Sequence, residues 1–115
     1  MRRGEIFWVE LEPVRASEAN KTRPSVVVSN DAANRSIQRL GRGVVTVVPV
    51  TSNISRVLPF QVLLRATECG LDNDSKAQAE QLRAVSYTRV RSRIGALPRK
   101  SLEALDAALR RHLNL

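Results

Sequence analysis

The chain has 115 residues, a formal net charge of +8 and a sequence pI near 11.2. This length fits one compact domain, which we expect to span residues 1–115, and it leaves little room for a second. No apolar run reaches the roughly 18 residues that a membrane-spanning helix needs, and no apolar segment of a signal peptide follows the first residues, so we expect a cytoplasmic protein without a membrane partner.

The positive charge comes mainly from arginine, with 16 arginines against 3 lysines. Arginine binds phosphate bidentately and stacks on bases, so a small domain this basic is first interpreted as a nucleic-acid binder. Two other interpretations stay open: arginine on ordinary solvated faces, and an acidic protein partner. The single cysteine, Cys69, excludes an internal disulfide framework and a structural zinc site.

Four strands are predicted in the first part of the chain, from runs of β-branched and aromatic residues. They cover residues 5–11, 25–29, 44–50 and 59–64. A polar loop at 14–22 joins the first two. Asn30 and Asp31 are predicted to cap a short helix over 32–39, which ends in a turn at 40–43. A second polar turn region covers 68–76.

The last third of the chain is less regular. Residues 77–85 have helix-favouring composition, yet they also alternate as a strand does, and the sequence alone leaves both open. A short strand is predicted at 93–97. From Arg99 the period changes, because one helical face collects apolar side chains, namely Leu102, Leu105, Ala108, Leu109 and Leu113. We therefore expect a small, curved, mostly antiparallel sheet closed by a C-terminal helix.

Polar residues stand directly beside two of the buried strands. The segment 17–24 leads into the strand at 25–29, and Thr51, Ser52 and Asn53 follow the strand at 44–50. Binding and catalytic groups are often presented on a polar loop at a rigid strand end.

The ordered set of these motifs resembles the MazF/PemK family of toxins from type II toxin–antitoxin modules. The motifs are Gly4–Val9, Ser17-Glu18, Arg23-Pro24 with the strand to Asp31, Val48–Ser52, Pro59-Phe60, Ala79–Arg83 and the leucine-rich C-terminal helix. The resemblance implies a mainly β fold with short helices (α+β), an SH3-like barrel of the CcdB/PemK/MazF type with a C-terminal helix. It also implies a homodimer.

The implied activity is sequence-specific, metal-independent cleavage of single-stranded RNA, with growth arrest as its consequence. The ribose 2′-OH attacks the adjacent phosphate and leaves 2′,3′-cyclic phosphate and 5′-OH ends. The implied partners are the RNA substrate, an acidic MazE-like antitoxin that occupies the RNA groove and, together with that antitoxin, operator DNA. No cofactor or metal is expected, since the sequence offers no carboxylate trio or histidine pair at metal spacing.

The family's catalytic arginine and threonine fall on Arg23 and Thr51. A guanidinium can hold the charge that develops on a phosphate bidentately, and a hydroxyl can donate a further hydrogen bond. Because a guanidinium keeps its proton, we assign Arg23 to charge stabilisation, and the general acid and base stay open. The RNA-binding candidates are Glu18, Asn20, Lys21, Ser52, Asn53 and Gln81.

Ordinary structural roles compete with these assignments. Thr51 could be a turn residue and Arg23 a solvated edge residue. Trp8 and Phe60 could stack on bases, but their place on strands favours packing in the core, and His112 is predicted to be solvated. Two other functions also stay open: a CcdB-like gyrase poison and a non-catalytic nucleic-acid-binding module. The family often has glycine where Ala16 stands and within the stretch where Asn20-Lys21-Thr22 stand. Because these positions border the RNA groove in the family, the cleavage sequence cannot be inherited from relatives.

Overall fold

The structure, a computed structural model, describes residues 1–11 and 22–115. Within these ranges it has seven strands and three α-helices. The strands are β1 (Glu5–Glu10), β2 (Thr22–Val27), β3 (Val44–Thr51), β4 (Gln61–Leu64), β5 (Ser75–Gln78), β6 (Arg83–Ser86) and β7 (Val90–Ala96). The helices are α1 (Asp31–Leu40), α2 (Ala66–Cys69) and α3 (Arg99–Leu113). None of the helices is long and apolar enough to cross a membrane.

All strand pairs of the described sheet are antiparallel. The strand order is β4-β5-β3-β2-β1-β7, and β6 also pairs with β3. Strand β3 is central because it changes partner along its length: Val45 lies opposite Val85 of β6, and Val50 lies opposite Ala77 of β5. This topology is the small antiparallel sheet with short helices and a C-terminal helix that the sequence predicts.

Both faces of the sheet are covered, because successive side chains of a strand point to opposite faces. Ile6, Val26 and Val48 belong to a core that includes Leu105 and Ala108 of α3. Val9 and Val47 belong to a second core, against which Ile37 of α1 packs. Burial on both faces explains why β2 and β3 are continuous valine runs rather than alternating strands.

The two longer helices confirm the sequence prediction. The Asn30 side chain caps α1 by accepting a hydrogen bond from the Ala33 amide at 2.8 Å. Gly41, at φ 72°, ends this helix in the left-handed conformation that glycine adopts at little cost. In α3, Leu105 and Ala108 are buried while His112 is exposed, as expected.

The structure differs from the prediction in three places. Residues 77–85 form neither one helix nor one strand, because β5 and β6 both pair with β3 and a short 3-10 helix over Ala79–Gln81 separates them. The polar turn region at 68–76 was predicted without a helix, yet Glu68 and Cys69 end α2 and Ser75 begins β5. Phe60 lies half-buried in the turn before β4 rather than in the core.

Candidate active site

Two prolines lie where the pairing between β2 and β3 ends. The last paired residues are Ser25 and Pro49, and Pro24 precedes Ser25. Proline has no backbone N–H to donate to a ladder, so neither proline can extend the pairing by donating a hydrogen bond. Beyond this point both strands line an open cleft of about 460 Å³. The cleft therefore begins where the ladder stops.

Arg23 and Thr51 lie on this cleft, one from each strand, together with Ser52. Arg23 is exposed, and Thr51 is half-buried at the last position of β3. The Asn53 amide donates a hydrogen bond to Thr51 Oγ1 at 3.2 Å. Since this bond uses a lone pair of the oxygen, the hydroxyl hydrogen of Thr51 can still be donated. The two residues singled out as catalytic from the sequence thus share one cavity.

Trp8 also lines the cleft, and its predicted place in the core is wrong. The indole is 36% exposed, whereas its β1 neighbours Ile6 and Val9 are fully buried. Trp8 lies opposite Pro24 in the β1–β2 register, and both residues line the cleft. Position on a strand did not decide its burial, because the cleft opens on the part of the sheet that Trp8 occupies.

The turn after α2 also lines the cleft, with Leu71, Asp72 and Asn73. This turn packs unusually close to β7. A Cβ placed on Gly95 would lie 2.0 Å from the Cys69 carbonyl oxygen, so only glycine fits there. Gly70 sits at φ 80°, and a Cβ placed on it would lie 3.0 Å from the Ile94 carbonyl oxygen. The two glycines let the turn lie directly on the strand.

Arg93 of β7 contributes a second guanidinium to the cleft. Its Nε donates to the Glu5 carboxylate. Partial burial raises the pKa of Glu5, but hydrogen bonds from Arg93 and the Arg2 amide outweigh this effect. The positive charges of Arg93 and the N-terminus act in the same direction, so the pKa of Glu5 lies below its usual 4.5. Glu5 therefore stays ionised and holds Arg93 in place at neutral pH.

Two of the predicted RNA-binding residues in the described part of the chain, Asn53 and Gln81, are not among those that line this cleft. Gln81 is exposed on the 3-10 helix that packs against α3 and β4, and it does not line the cavity. The Asn53 side chain accepts hydrogen bonds from the amide and hydroxyl of Ser55, which organises the loop after β3. Glu18, Asn20 and Lys21 lie outside the described residues, as does Ala16.

Cys69 is buried at the end of α2. Burial raises the pKa of its thiol, and the negative charge of Glu68 adds to this, so the sulfur stays protonated and unreactive. Among residues 1–11 and 22–115, no group of three or more His, Cys, Asp or Glu side chains is arranged to hold a metal ion.

Sequence reasoning missed Trp8, Asp72, Asn73 and Arg93 as cleft residues. Asp72 and Asn73 gave a usable signal, since both stand in an exposed polar turn. Arg93 gave none, because its place beside the cleft depends on the pairing of β7 with β1, two strands at opposite ends of the chain.

Solved structures of known proteins share this fold. The "Mycobacterium tuberculosis toxin MazF-mt6" superposes with a TM-score of 0.78 at 22% identity, over 96% of this chain and 97% of that one. An "Endoribonuclease in complex with its cognate antitoxin from Mycobacterial species" gives 0.75 at 20% identity, over 100% and 96%. At these identities the likeness concerns the fold alone.

Sequence comparisons identify the family. "Endoribonuclease MazF9" of Mycobacterium tuberculosis is 60% identical over 115 residues, which is 100% of this chain and 98% of that protein. "Endoribonuclease EndoA" of Bacillus subtilis is 30% identical over 100% of this chain and 96% of its own length. Residues 2–113 match the family described as the PemK-like, MazF-like toxin of type II toxin–antitoxin systems. This chain belongs to that toxin family.

Proposed function

We propose that this toxin is an endoribonuclease that cuts single-stranded RNA in the cleft between β2 and β3. The observation that carries the proposal is the meeting of Arg23 and Thr51, 28 positions apart in the sequence, on one open cavity beside an exposed tryptophan. The relatives that match along the whole chain are named endoribonucleases, which supports the same activity.

The proposed reaction is an internal transfer at phosphorus. The ribose 2′-oxygen bonds to the adjacent phosphorus while the bond from phosphorus to the 5′-oxygen breaks. The 2′-hydroxyl loses its proton and the departing 5′-oxygen gains one, which leaves a 2′,3′-cyclic phosphate and a 5′-OH. No water or metal enters the bond changes of this step.

Arg23 and Thr51 act on the charge that develops in this reaction. The Arg23 guanidinium holds the non-bridging oxygens bidentately, and the Thr51 hydroxyl donates a further hydrogen bond. Because the Asn53 amide already binds Thr51 Oγ1, the hydroxyl is oriented before substrate arrives. Ser52, on the same cavity, is a further contact for the RNA backbone.

The partners follow from the charge and the family. A net charge of +8 favours an acidic antitoxin that covers the cleft and blocks RNA. A neighbouring solved structure is an endoribonuclease bound to its cognate antitoxin, which supports this kind of regulation. A homodimer with two equivalent sites, a cytoplasmic location and binding of operator DNA with the antitoxin complete the proposal.

The test is incubation of a long mixed-sequence single-stranded RNA with the toxin in EDTA, with the cuts mapped by primer extension. We expect discrete cuts at one short motif, and no cut when the nucleotide 5′ to the scissile phosphate is 2′-deoxy. Intact RNA after incubation with a folded toxin would contradict the proposal and favour gyrase poisoning or simple nucleic-acid binding. Cleavage of the 2′-deoxy substrate would contradict the mechanism alone.

A further inference from the structure

Among the described residues that line the cleft, one has an acidic side chain, Asp72 in the turn after α2. We propose that Asp72 accepts a hydrogen bond from an N–H on the edge of one substrate base and so determines sequence specificity at that position. The inference rests on the proposed ribonuclease function and adds a residue that reads the substrate to those that act on its phosphate. Asp72 and its neighbour Asn73 are both exposed at the cavity.

The backbone that carries Asp72 is held at both ends. On one side Gly70 and Gly95 let the turn pack directly on β7. On the other side the Asp74 carboxylate accepts the Ala66 amide at 2.8 Å and pairs with Arg65 at 3.2 Å. A turn fixed in this way loses less backbone conformational entropy when RNA binds than a mobile loop would.

Two residues that follow Asp72, Asp74 and Ser75, form hydrogen bonds that stabilise the turn itself. Asp74 caps α2, and the Ser75 hydroxyl donates to the Asn73 carbonyl at 2.8 Å. Among the described residues, no side chain donates a hydrogen bond to the Asp72 carboxylate. Asp74 and Ser75 therefore stabilise the turn itself, whereas Asp72 and Asn73 line the cavity.

Charge decides which part of an RNA strand can lie against each of the charged side chains in the cleft. Arg23 and Arg93 attract the phosphates, whereas the Asp72 carboxylate repels them. A carboxylate accepts hydrogen bonds only, and the N–H groups that RNA offers to it are on base edges. Phosphates held by the arginines leave an adjoining base to contact Asp72, and Trp8 in the same cavity offers a surface on which that base can stack.

The test compares cleavage preferences of the wild type, Asp72→Asn and Glu68→Gln on an RNA library with a randomised region. Asp72→Asn keeps the shape of the side chain, removes its negative charge and replaces one acceptor oxygen by an NH2 donor. Glu68→Gln is the matched control, since it removes one exposed carboxylate of α2 outside the cleft. Sequencing of the cut ends gives the preference at each position of the motif.

We expect Asp72→Asn to change the preference at one position by about tenfold, with the other positions and the control unchanged. An unchanged preference everywhere, or a uniform loss at all positions, would overturn the proposal.

Binding of fluorescein-labelled rA, rC and rU 10-mers tests the same residue without cleavage. In this binding assay, Asp72→Asn should change the relative affinities for the three RNAs by about tenfold. The same relative affinities in Asp72→Asn and the wild type would again overturn the proposal. A wild type that cuts nothing would instead contradict the ribonuclease proposal.

Discussion

Trp8 is the residue whose environment departs most from its strand. Its neighbours Ile6 and Val9 are fully buried, while the indole is open to the cleft. An exposed aromatic ring that lines the same cavity as two arginines suits stacking with a nucleic-acid base, because every base has a π-face. It is also the only tryptophan of the chain, so its fluorescence reports on the cleft alone.

Replacement of Trp8 by alanine should weaken RNA binding about tenfold, which is within the range for loss of one stacked base. Titration with 2′-O-methyl RNA gives the affinity by fluorescence anisotropy. This RNA lacks the 2′-hydroxyl that attacks the phosphate, so it is not cleaved. In the wild type the same titration should quench the tryptophan emission. Leu40→Ala serves as control, since Leu40 is exposed on α1 and does not line the cleft. Equal affinity of Trp8→Ala and wild type would contradict a stacking role.

Among the elements, those with strong local signals could be predicted from sequence. The cap at Asn30, the valine runs of β2 and β3 and the leucine face of α3 each point to one structure. Residues 77–85 could not be predicted, because their propensity and alternation disagree. The outcome was decided by β3, which offers paired edges to both β5 and β6.

The same division holds for the candidate site. Arg23 and Thr51 could be identified because each stands at a strand end within a family motif. Trp8 and Arg93 could not, since the cleft depends on long-range geometry: the end of the β2–β3 ladder and the close packing of the turn on Gly95. Residues within one motif were predictable, whereas residues brought together by pairing were not.

Helix α3 closes one core of the sheet through Leu105, which is fully buried. Leu105→Ala should lower the free energy of unfolding by about 2–5 kcal/mol, because it removes buried methyl groups and leaves a cavity. Leu115→Ala makes the same change of residue at a site that is 86% exposed, and it should change stability by less than about 0.5 kcal/mol. Urea denaturation measures both, and similar losses in the two variants would contradict the packing assigned to α3.

At the scale of the whole molecule, ionised carboxylates tie distant parts of the chain together. Glu5 of β1 binds Arg93 of β7, and the pKa of Asp31 in α1 is lowered mainly by a hydrogen bond from the Arg3 amide. A lowered pKa in the folded state means that the unfolded state binds more protons in acid. The stabilisation is therefore complete above the unfolded pKa and is lost as the pH falls through the folded value.

We accordingly expect the toxin to lose stability below about pH 5. Glu5→Gln should be less stable than the wild type at pH 7, and the difference should shrink as the pH is lowered, because the wild type then loses the same charge. The measurement is urea denaturation of both proteins between pH 7 and pH 3. A difference that stays constant across this range would show that the charge of Glu5 does not contribute.

We propose that Arg23 and Thr51 act together on the phosphate in one cleft. The direct measurement is the rate of RNA cleavage in EDTA by the wild type, Arg23→Ala, Thr51→Ala and Arg39→Ala. Arg39 is the matched control because it is an exposed arginine of α1 outside the cleft. We expect rates about 10²–10³-fold lower for Arg23→Ala and Thr51→Ala than for the wild type, and a nearly unchanged rate for Arg39→Ala. Near-normal cleavage by folded Arg23→Ala or Thr51→Ala would contradict this proposal.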